Sequence, residues 1–397
     1  MKLYFIAIIL TFASLNAMAQ NSDDILNLLL KKGTITQNEA DSIRSVFSAR
    51  QKITESRQDS FPLSLGRLLK LSGYIQTRFQ YYQQAGKNDE FDVRRARLDF
   101  QGDFSTQWGY RLLIDFVGAS AANGTAPTGG ALISPTALDA FISYKPFDFL
   151  KITAGQFVVP FSQENLTQDR NLETIDRSQV VSALVARKGD ASNGLVDSIG
   201  NQNGRDIGIQ ANGSLIHVRS AYLIDYSVAL LDGAGINTLD NNQSKDIAAR
   251  LVFHPLKGFD FGGSYYNGFD RFTSSPTKNQ ERVRWGLEAA WYLNQLTLRG
   301  EFIKGLDGNS NPIEHEGWYG QASYFFWPRH LQGVFRYDAY NADVNLNKGA
   351  SDLSTYYVFG LNYFFNVWTK LQVNYSLRTE TPAVHNDVFN VQLQLGF

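Results

Sequence analysis

The chain has 397 residues, 43% hydrophobic, 19% charged and 13% aromatic, so it is neither a disordered polar chain nor a bundle of membrane helices. Its 37 basic and 38 acidic side chains leave a net charge of −1, so no overall field recruits nucleic acid or anionic lipid, and any charge selectivity must be local. The 33 Gly, 28 Phe and 19 Tyr favour strands and turns, and the absence of Cys excludes disulfides, thiolate metal sites and cysteine nucleophiles.

Lys2, the apolar run Leu3 to Phe12 and the small-residue end Ala17-Met18-Ala19 read as a cleaved secretory signal over residues 1–19. Nothing downstream reaches the roughly 18 consecutive apolar residues of a helical span, which leaves a secreted, periplasmic or β-barrel membrane protein. Residues 20–66 carry helix signals. Ser22 caps a run of Ile25, Leu26, Leu28, Leu29 and Leu30 that stops at Lys31-Lys32-Gly33, and Thr36 with Glu39 forms a capping box for a second helix through Ala40, Ile43 and Phe47. A periplasmic helical hairpin or stalk is expected, the alternative being a linker that borrows helical propensity.

From about residue 67 to 397 the period is two. Leu71, Gly73, Ile75, Thr77, Phe79 and Tyr81 alternate with Ser72, Tyr74, Gln76, Arg78 and Gln80, and Ala96, Leu98 and Phe100 with Arg95, Arg97, Asp99 and Gln101. Sixteen such runs are centred near residues 76, 98, 113, 140, 153, 209, 226, 250, 262, 288, 300, 322, 335, 360, 374 and 392. Connections after even-numbered runs are short, among them Ser105 to Gln107, Pro146 to Phe149, Gly213 to Val218 and Pro255 to Gly258, and those after odd-numbered runs are mostly longer. An even strand count with that asymmetry predicts an all-β fold, a transmembrane antiparallel β-barrel of about sixteen strands in contact with outer-membrane lipid. A soluble sandwich or propeller gives no reason for loop lengths to alternate. Phe104, Trp108, Phe147, Phe149, Trp327 and Trp368 flank the short turns as an expected interfacial girdle, and the last strand ends on Phe397.

The connection from Val158 to Gly204 lacks sustained alternation, and loops of that length are usually functional. A sixteen-stranded barrel encloses an aqueous interior too wide to select solutes. This third outer loop is therefore expected to fold inward as the constriction, with Glu164, Arg170, Arg177, Arg187 and Lys188, and also Asp169, Glu173 and Asp176, as its charged tips. The alternative is an outward surface loop.

Several segments resemble the phosphate-selective porin O/P family: GQFVVPFSQE (Gly155 to Glu164), VRRARLDF (Val93 to Phe100), GRDIGIQ (Gly204 to Gln210), Asp232 to Asp246 running into Ala249-Arg250-Leu251, Arg336-Tyr337-Asp338 and Gly360-Leu361-Asn362-Tyr363. LLKKGTITQNEADSIR (Leu29 to Arg44) is similar to a segment that family members often carry before the barrel. The resemblance implies a homotrimeric sixteen-stranded outer-membrane porin that passes small anions, with phosphate or polyphosphate as substrates of some members.

Parity places Arg78, Arg95, Arg97, Arg111, Lys151, Arg250, Arg282, Arg284, Arg299, Arg336 and Arg378 inward as candidates for an anion path, with Lys145 and Lys370. Asp99, Asp103, Asp115, Asp139, Asp206, Asp246, Asp260, Glu288, Glu301, Asp338 and Glu380 stand against them, so many of these charges are expected to pair across strands. Unpaired arginines would lower the barrier for anions, and the neighbours Arg95 and Arg97 are the first candidates. His217, His254, His315, His330 and His385 are placed in loops or turns without metal-ligand spacing, and no nucleophile elbow or phosphate loop is present. Asp240, Asn242 and Ser244 echo the start of a calcium loop without its glycine and terminal Glu. No catalytic residue, metal or cofactor is expected. A barrel enzyme such as an outer-membrane phospholipase, or a surface-binding or structural barrel, are the alternatives to a porin.

Overall fold

Sixteen of the alternating segments form strands of one sheet that closes on itself. They are β1 (Leu69–Tyr82), β2 (Glu90–Asp103), β3 (Trp108–Val117), β4 (Ile133–Phe147), β5 (Leu150–Val158), β6 (Arg205–Val218), β7 (Ala221–Leu231) and β8 (Asp246–Leu256). The others are β9 (Phe259–Arg271), β10 (Asn279–Leu293), β11 (Leu296–Asp307), β12 (Ile313–Trp327), β13 (Leu331–Asn341), β14 (Leu353–Phe364), β15 (Lys370–Glu380) and β16 (Val388–Gly396). This computed structural model describes residues 63–117, 133–185, 204–218, 221–240, 242–271, 279–309, 311–345 and 353–397. The barrel belongs to the unit Phe61–Phe397; the unit Met1–Ser60, with the expected signal and helices, lies outside the described residues.

Each strand pairs antiparallel with its neighbours in sequence, and β16 returns to β1 through pairs such as Leu393↔Thr77 and Gly396↔Tyr74. Closure leaves no edge with unpaired N–H and C=O groups, which hydrocarbon could not solvate. The seam is finished by the last residue. Phe397 N–H donates to Gly73 O at 2.9 Å, and Gly73 N–H donates to Phe397 O at 3.0 Å. A Cβ on Gly73 would stand 2.7 Å from Cζ of the Phe397 ring, so the glycine makes room for that ring. A short strand, Leu63–Leu65, folds back on the first residues of β1.

The alternation puts polar residues inside. In β1 the side chains of Ser72, Gln76, Arg78 and Gln80 are buried, while Ile75 and Tyr81 are about half exposed. A water-soluble fold would do the reverse; here the outer face carries the apolar side chains, as in a transmembrane barrel. Phe104, Trp108, Phe147, Phe149 and Trp327 are exposed beside the short turns, and Trp108 packs at a tilt against Tyr144 while Phe147 stacks on Phe149. Trp368 departs from the expected girdle: its ring lies under the Arg170 guanidinium at 4.8 Å, because a loop inside the barrel reaches this turn.

Two further expectations are corrected. The segment Gly213 to Val218 is not a turn, since β6 continues to Val218 through Ile216, whose φ of +56° marks an irregular residue in the strand. His217, His254 and His315 lie in strands rather than in loops. The ring of His254 spans Asp260 (2.7 Å) and Asp225 (3.1 Å), and that of His315 lies 3.1 Å from Asp307.

Candidate functional site

The long connection after β5 carries a short helix α1 (Gln163–Leu166), a single 3-10 turn (Asp169–Asn171) and a helix α2 (Gln179–Leu184). Val159 N–H donates to Gly204 O at 2.9 Å, so the two ends of the loop stay together at the barrel rim. Between them, residues 159–185 lie against inward-facing side chains of β1, β2 and β7 to β15, through three kinds of contact.

The first is apolar. Six residues of helix cannot stand alone in water, so α2 depends on what it buries. Val180, Val181 and Leu184 pack with Phe157, Val159 and Phe161 onto Ala229, Leu231, Ala248, Tyr266, Ile303 and Tyr319 of the wall. Each of the three helix side chains contributes roughly 1.5–3 kcal/mol by leaving water. Gly317 supplies the space: a Cβ there would meet Val180 Cβ at 2.8 Å and Ala339 O at 2.7 Å. Ser178 caps the helix, and Gln179 N–H donates to Asp338 at 2.9 Å.

The second contact is amide to backbone. Leu172 O accepts from Lys370 Nζ (2.7 Å) and Gln372 Nε2 (3.3 Å), Glu173 O accepts from Asn362 Nδ2 (2.8 Å), and Ile175 N–H donates to Asn374 Oδ1 (2.7 Å). An amide carries both donor and acceptor, so this wall satisfies an irregular backbone that would otherwise be orphaned inside the barrel.

The third is ionic. Glu164 takes Arg336 Nη1 at 3.2 Å together with the N–H of Ser178 at 2.8 Å, and Glu173 takes Arg299 at 3.2 Å, Gln321 at 2.6 Å and Ser323 at 2.9 Å. Glu301 of β11 accepts the backbone N–H groups of Glu164 (2.7 Å) and Gln163 (3.2 Å) at the start of α1. Asp169 lies among three guanidinium groups: Arg95 at 3.0 Å, Arg97 and Arg177. Burial works to raise the pKa of the Asp169 carboxyl, but Arg177, Arg95 and Arg97 outweigh it and hold it well below the ordinary carboxylate range.

Beside Asp169 lies a cavity of about 80 Å³ between the loop and β1, β2, β3 and β6. Among the described residues Arg97, Arg111, Arg170, Arg177 and Arg205 line it, with Asp99 and Asp169. Arg111 forks onto Asp99 (2.9 and 2.8 Å) and reaches Asp139 (2.8 Å), which Arg205 also holds (2.6 Å). Arg170 differs from these: among the described residues no carboxylate lies within ion-pair distance of it, and its only partner shown is the Trp368 ring.

The other sequence candidates are mostly neutralised. Arg78 forks onto Asp92 (3.1 and 2.5 Å), Arg250 onto Glu288, and Arg284 onto Asp307 (2.6 and 2.8 Å), with Arg282 at 3.6 Å from the same carboxylate. Lys145 pairs with Asp148 at 2.9 Å in a turn and is half exposed. Among the described residues Lys151 and Arg378 have no ion pair; they lie over the rings of Phe141 (6.0 Å) and Tyr356 (4.7 Å). Arg187 and Lys188 lie outside the described residues. Arg95 and Arg97 are not the unpaired arginines that strand parity suggested, because the loop brings Asp169 to both and Asp115 sits 2.6 Å from Arg97. Parity also missed Arg94. In the β1–β2 ladder Gln76 faces Arg95 and Thr77 faces Val93, so Arg94 is the extra residue of a bulge and turns inward with Arg95 to meet Asp176. The calcium-like Asp240 is taken by Lys245, which also pairs with Asp232 at 3.0 Å.

A closed sixteen-stranded barrel with an apolar outer band and charged inner wall defines a membrane channel of the outer-membrane class. The family described as phosphate-selective porin O and P matches residues 70–283 and 269–397, and the chain belongs to it. It is an outer-membrane porin, a channel rather than an enzyme. Similar solved structures include an anion-selective porin from Comamonas acidovorans (12% identity, 83% of this chain and 99% of that one, TM-score 0.60). OmpF of Salmonella typhi in complex with daunomycin is similar at 14% identity over 83% of this chain and 97% of that one, TM-score 0.59. The in-vitro folded trimer form of the outer membrane protein OmpT of Vibrio cholerae is similar at 10% identity, 83% and 99% coverage, TM-score 0.54. No curated protein matches the chain.

Proposed function

We propose that this porin gives small anions, phosphate among them, a passive route past the arginine-lined side of its third loop, which acts as the constriction. The observation that carries the reading is the cavity between loop and wall, lined among the described residues by five arginines, of which four are paired with Asp99, Asp115, Asp139 and Asp169 while Arg170 has no carboxylate partner. In a narrow, low-dielectric passage an excess of guanidinium lowers the barrier for anions and raises it for cations. The name of the family and the anion selectivity of the Comamonas porin point the same way. The reading includes a homotrimer, supported by the trimer form of the Vibrio protein. It also includes export by a cleaved signal over residues 1–19 and a helical periplasmic segment before the barrel.

The test is the reversal potential of the purified protein in planar bilayers under a potassium chloride gradient. Anion preference is expected, reduced toward unity by Arg170→Gln. Cation preference in the wild type rejects the anion reading, and absence of any conductance favours a structural barrel with a filled lumen.

A further inference from the structure

We infer that the guanidinium nest of Arg95, Arg97 and Arg177 is an oxyanion-binding site kept occupied by the channel's own Asp169, so that free phosphate passes this point without being held. The inference rests on the anion route proposed above and concerns what happens where that route borders Asp169.

Both oxygens of the Asp169 carboxylate are used. Oδ1 meets Arg95 Nη2 at 3.0 Å and Arg177 Nη1, and Oδ2 meets Arg97 Nη1. Three guanidinium groups converging on two oxygens are the arrangement that would hold a free phosphate or carboxylate. The nest does not depend on Asp169 for its shape. Arg97 is held by Asp115 (2.6 Å) and the Tyr74 hydroxyl (2.9 Å), Arg95 by Gln76 Oε1 (2.9 Å), and Arg177 by Thr167 O (2.7 Å) and Glu164 O (3.3 Å). The carboxylate, in contrast, enters on a 3-10 turn of the loop, not on a strand. It borders the cavity that Arg111 and Arg170 also line, so a solute in that cavity reaches the nest if Asp169 is gone.

A tethered ligand competes as an intramolecular one, at an effective concentration that a dilute free anion does not match. Its carboxyl stays ionised at any neutral pH, for the electrostatic reason given above. The consequence suits a channel: conduction needs an attractive wall that does not trap the solute, and the tethered carboxylate fills a place where three charges would trap it.

The experiment measures chloride current through the full-length protein in planar bilayers while inorganic phosphate is added. Wild type is expected to show no saturable block. Asp169→Ala, which empties the nest, is expected to show saturable block with its midpoint at least about tenfold below the highest phosphate concentration that leaves the wild type unblocked, the effect of roughly one charge-assisted hydrogen bond, and adding Arg95→Gln to that variant is expected to weaken the block. Saturable block of the wild type equal to that of Asp169→Ala, or no block in the variant, overturns the inference. If Asp169→Ala does not assemble, Asp169→Ser, which also removes the carboxylate and leaves room in the nest, is read by the same two outcomes. The reversal potential in the same bilayers separates the two readings, since cation preference rejects the anion route, whereas anion preference with wild-type block rejects only the occupied nest.

Discussion

Asp169 shows what one carboxylate on a docked loop can do beside a barrel wall. Three arginines around it make the ionised form the stable one, and they do so in spite of burial. The sign of the pH effect follows. A carboxyl whose folded pKa lies below its unfolded value of about 3.9 stabilises the folded loop fully above that value and loses the contribution only as pH falls through the folded pKa. Asp169 should therefore add no step to single-channel conductance from pH 8 down to about 4.5 and should act only in stronger acid. A step in conductance between pH 5 and 7 would mean that another group controls the loop. Arg95 and Arg97 carry the complementary prediction. Replacing both with Gln removes two positive charges and leaves Asp169 with Arg177 alone, so the anion/cation permeability ratio should fall, as read from reversal potentials.

At the scale of elements, the loop after β5 behaves like a small domain without its own core: it borrows apolar partners from β7 to β12 and amide partners from β13 to β15. Removing most of it should raise single-channel conductance severalfold and weaken selectivity, because the lumen of a sixteen-stranded barrel is otherwise open. Gly317→Leu tests the same attachment from the wall side. The new side chain would run into Val180 and also into the Ala339 carbonyl of β13 at 2.7 Å, so α2 must leave its seat and this strand pair must adjust, and conductance should rise in the fraction of barrels that assembles. The seam between β16 and β1 depends on Gly73 in the same way. Gly73→Val drives a side chain into the Phe397 ring and the Arg97 carbonyl, which lie 2.7 and 2.8 Å from a Cβ there. The variant should lose its compact, fast-migrating form in unheated gels at a lower temperature than wild type.

For the whole molecule, TM-scores of 0.54 to 0.60 at 10–14% identity show how little of a porin barrel resides in particular side chains. A closed antiparallel sheet, polar within and apolar without, can be built from many sequences, because lipid asks only for satisfied backbone and an apolar surface. The proposed trimer has a direct check. Native mass measurement in mild detergent should return three copies, and a monomer alone would reject the assembly. The same measurement on protein lacking residues 21–60 asks whether the segment before the barrel contributes to it.

The sequence by itself determined the number of strands, their order and which face of each meets lipid. Those properties follow from a period of two and from connection lengths, which are local: Ser72, Gln76 and Arg78 had to share one side of β1 whatever stood opposite them. The family was legible too, from short segments such as Gly155 to Glu164. Only the tertiary structure decided which charges meet. Arg95 looked like a free cation because its counter-ion, Asp169, comes from more than seventy positions away on a loop with no periodicity to place it; Arg97 shares that counter-ion and also meets Asp115 of the next strand. Arg94 and Trp368 escaped for a related reason. A bulge breaks the parity that assigns faces, and a ring in a turn takes the side offered by its neighbour, here the Arg170 guanidinium. Strand alternation is dictated residue by residue along the chain, whereas the charge state of the lumen depends on where a loop docks across it.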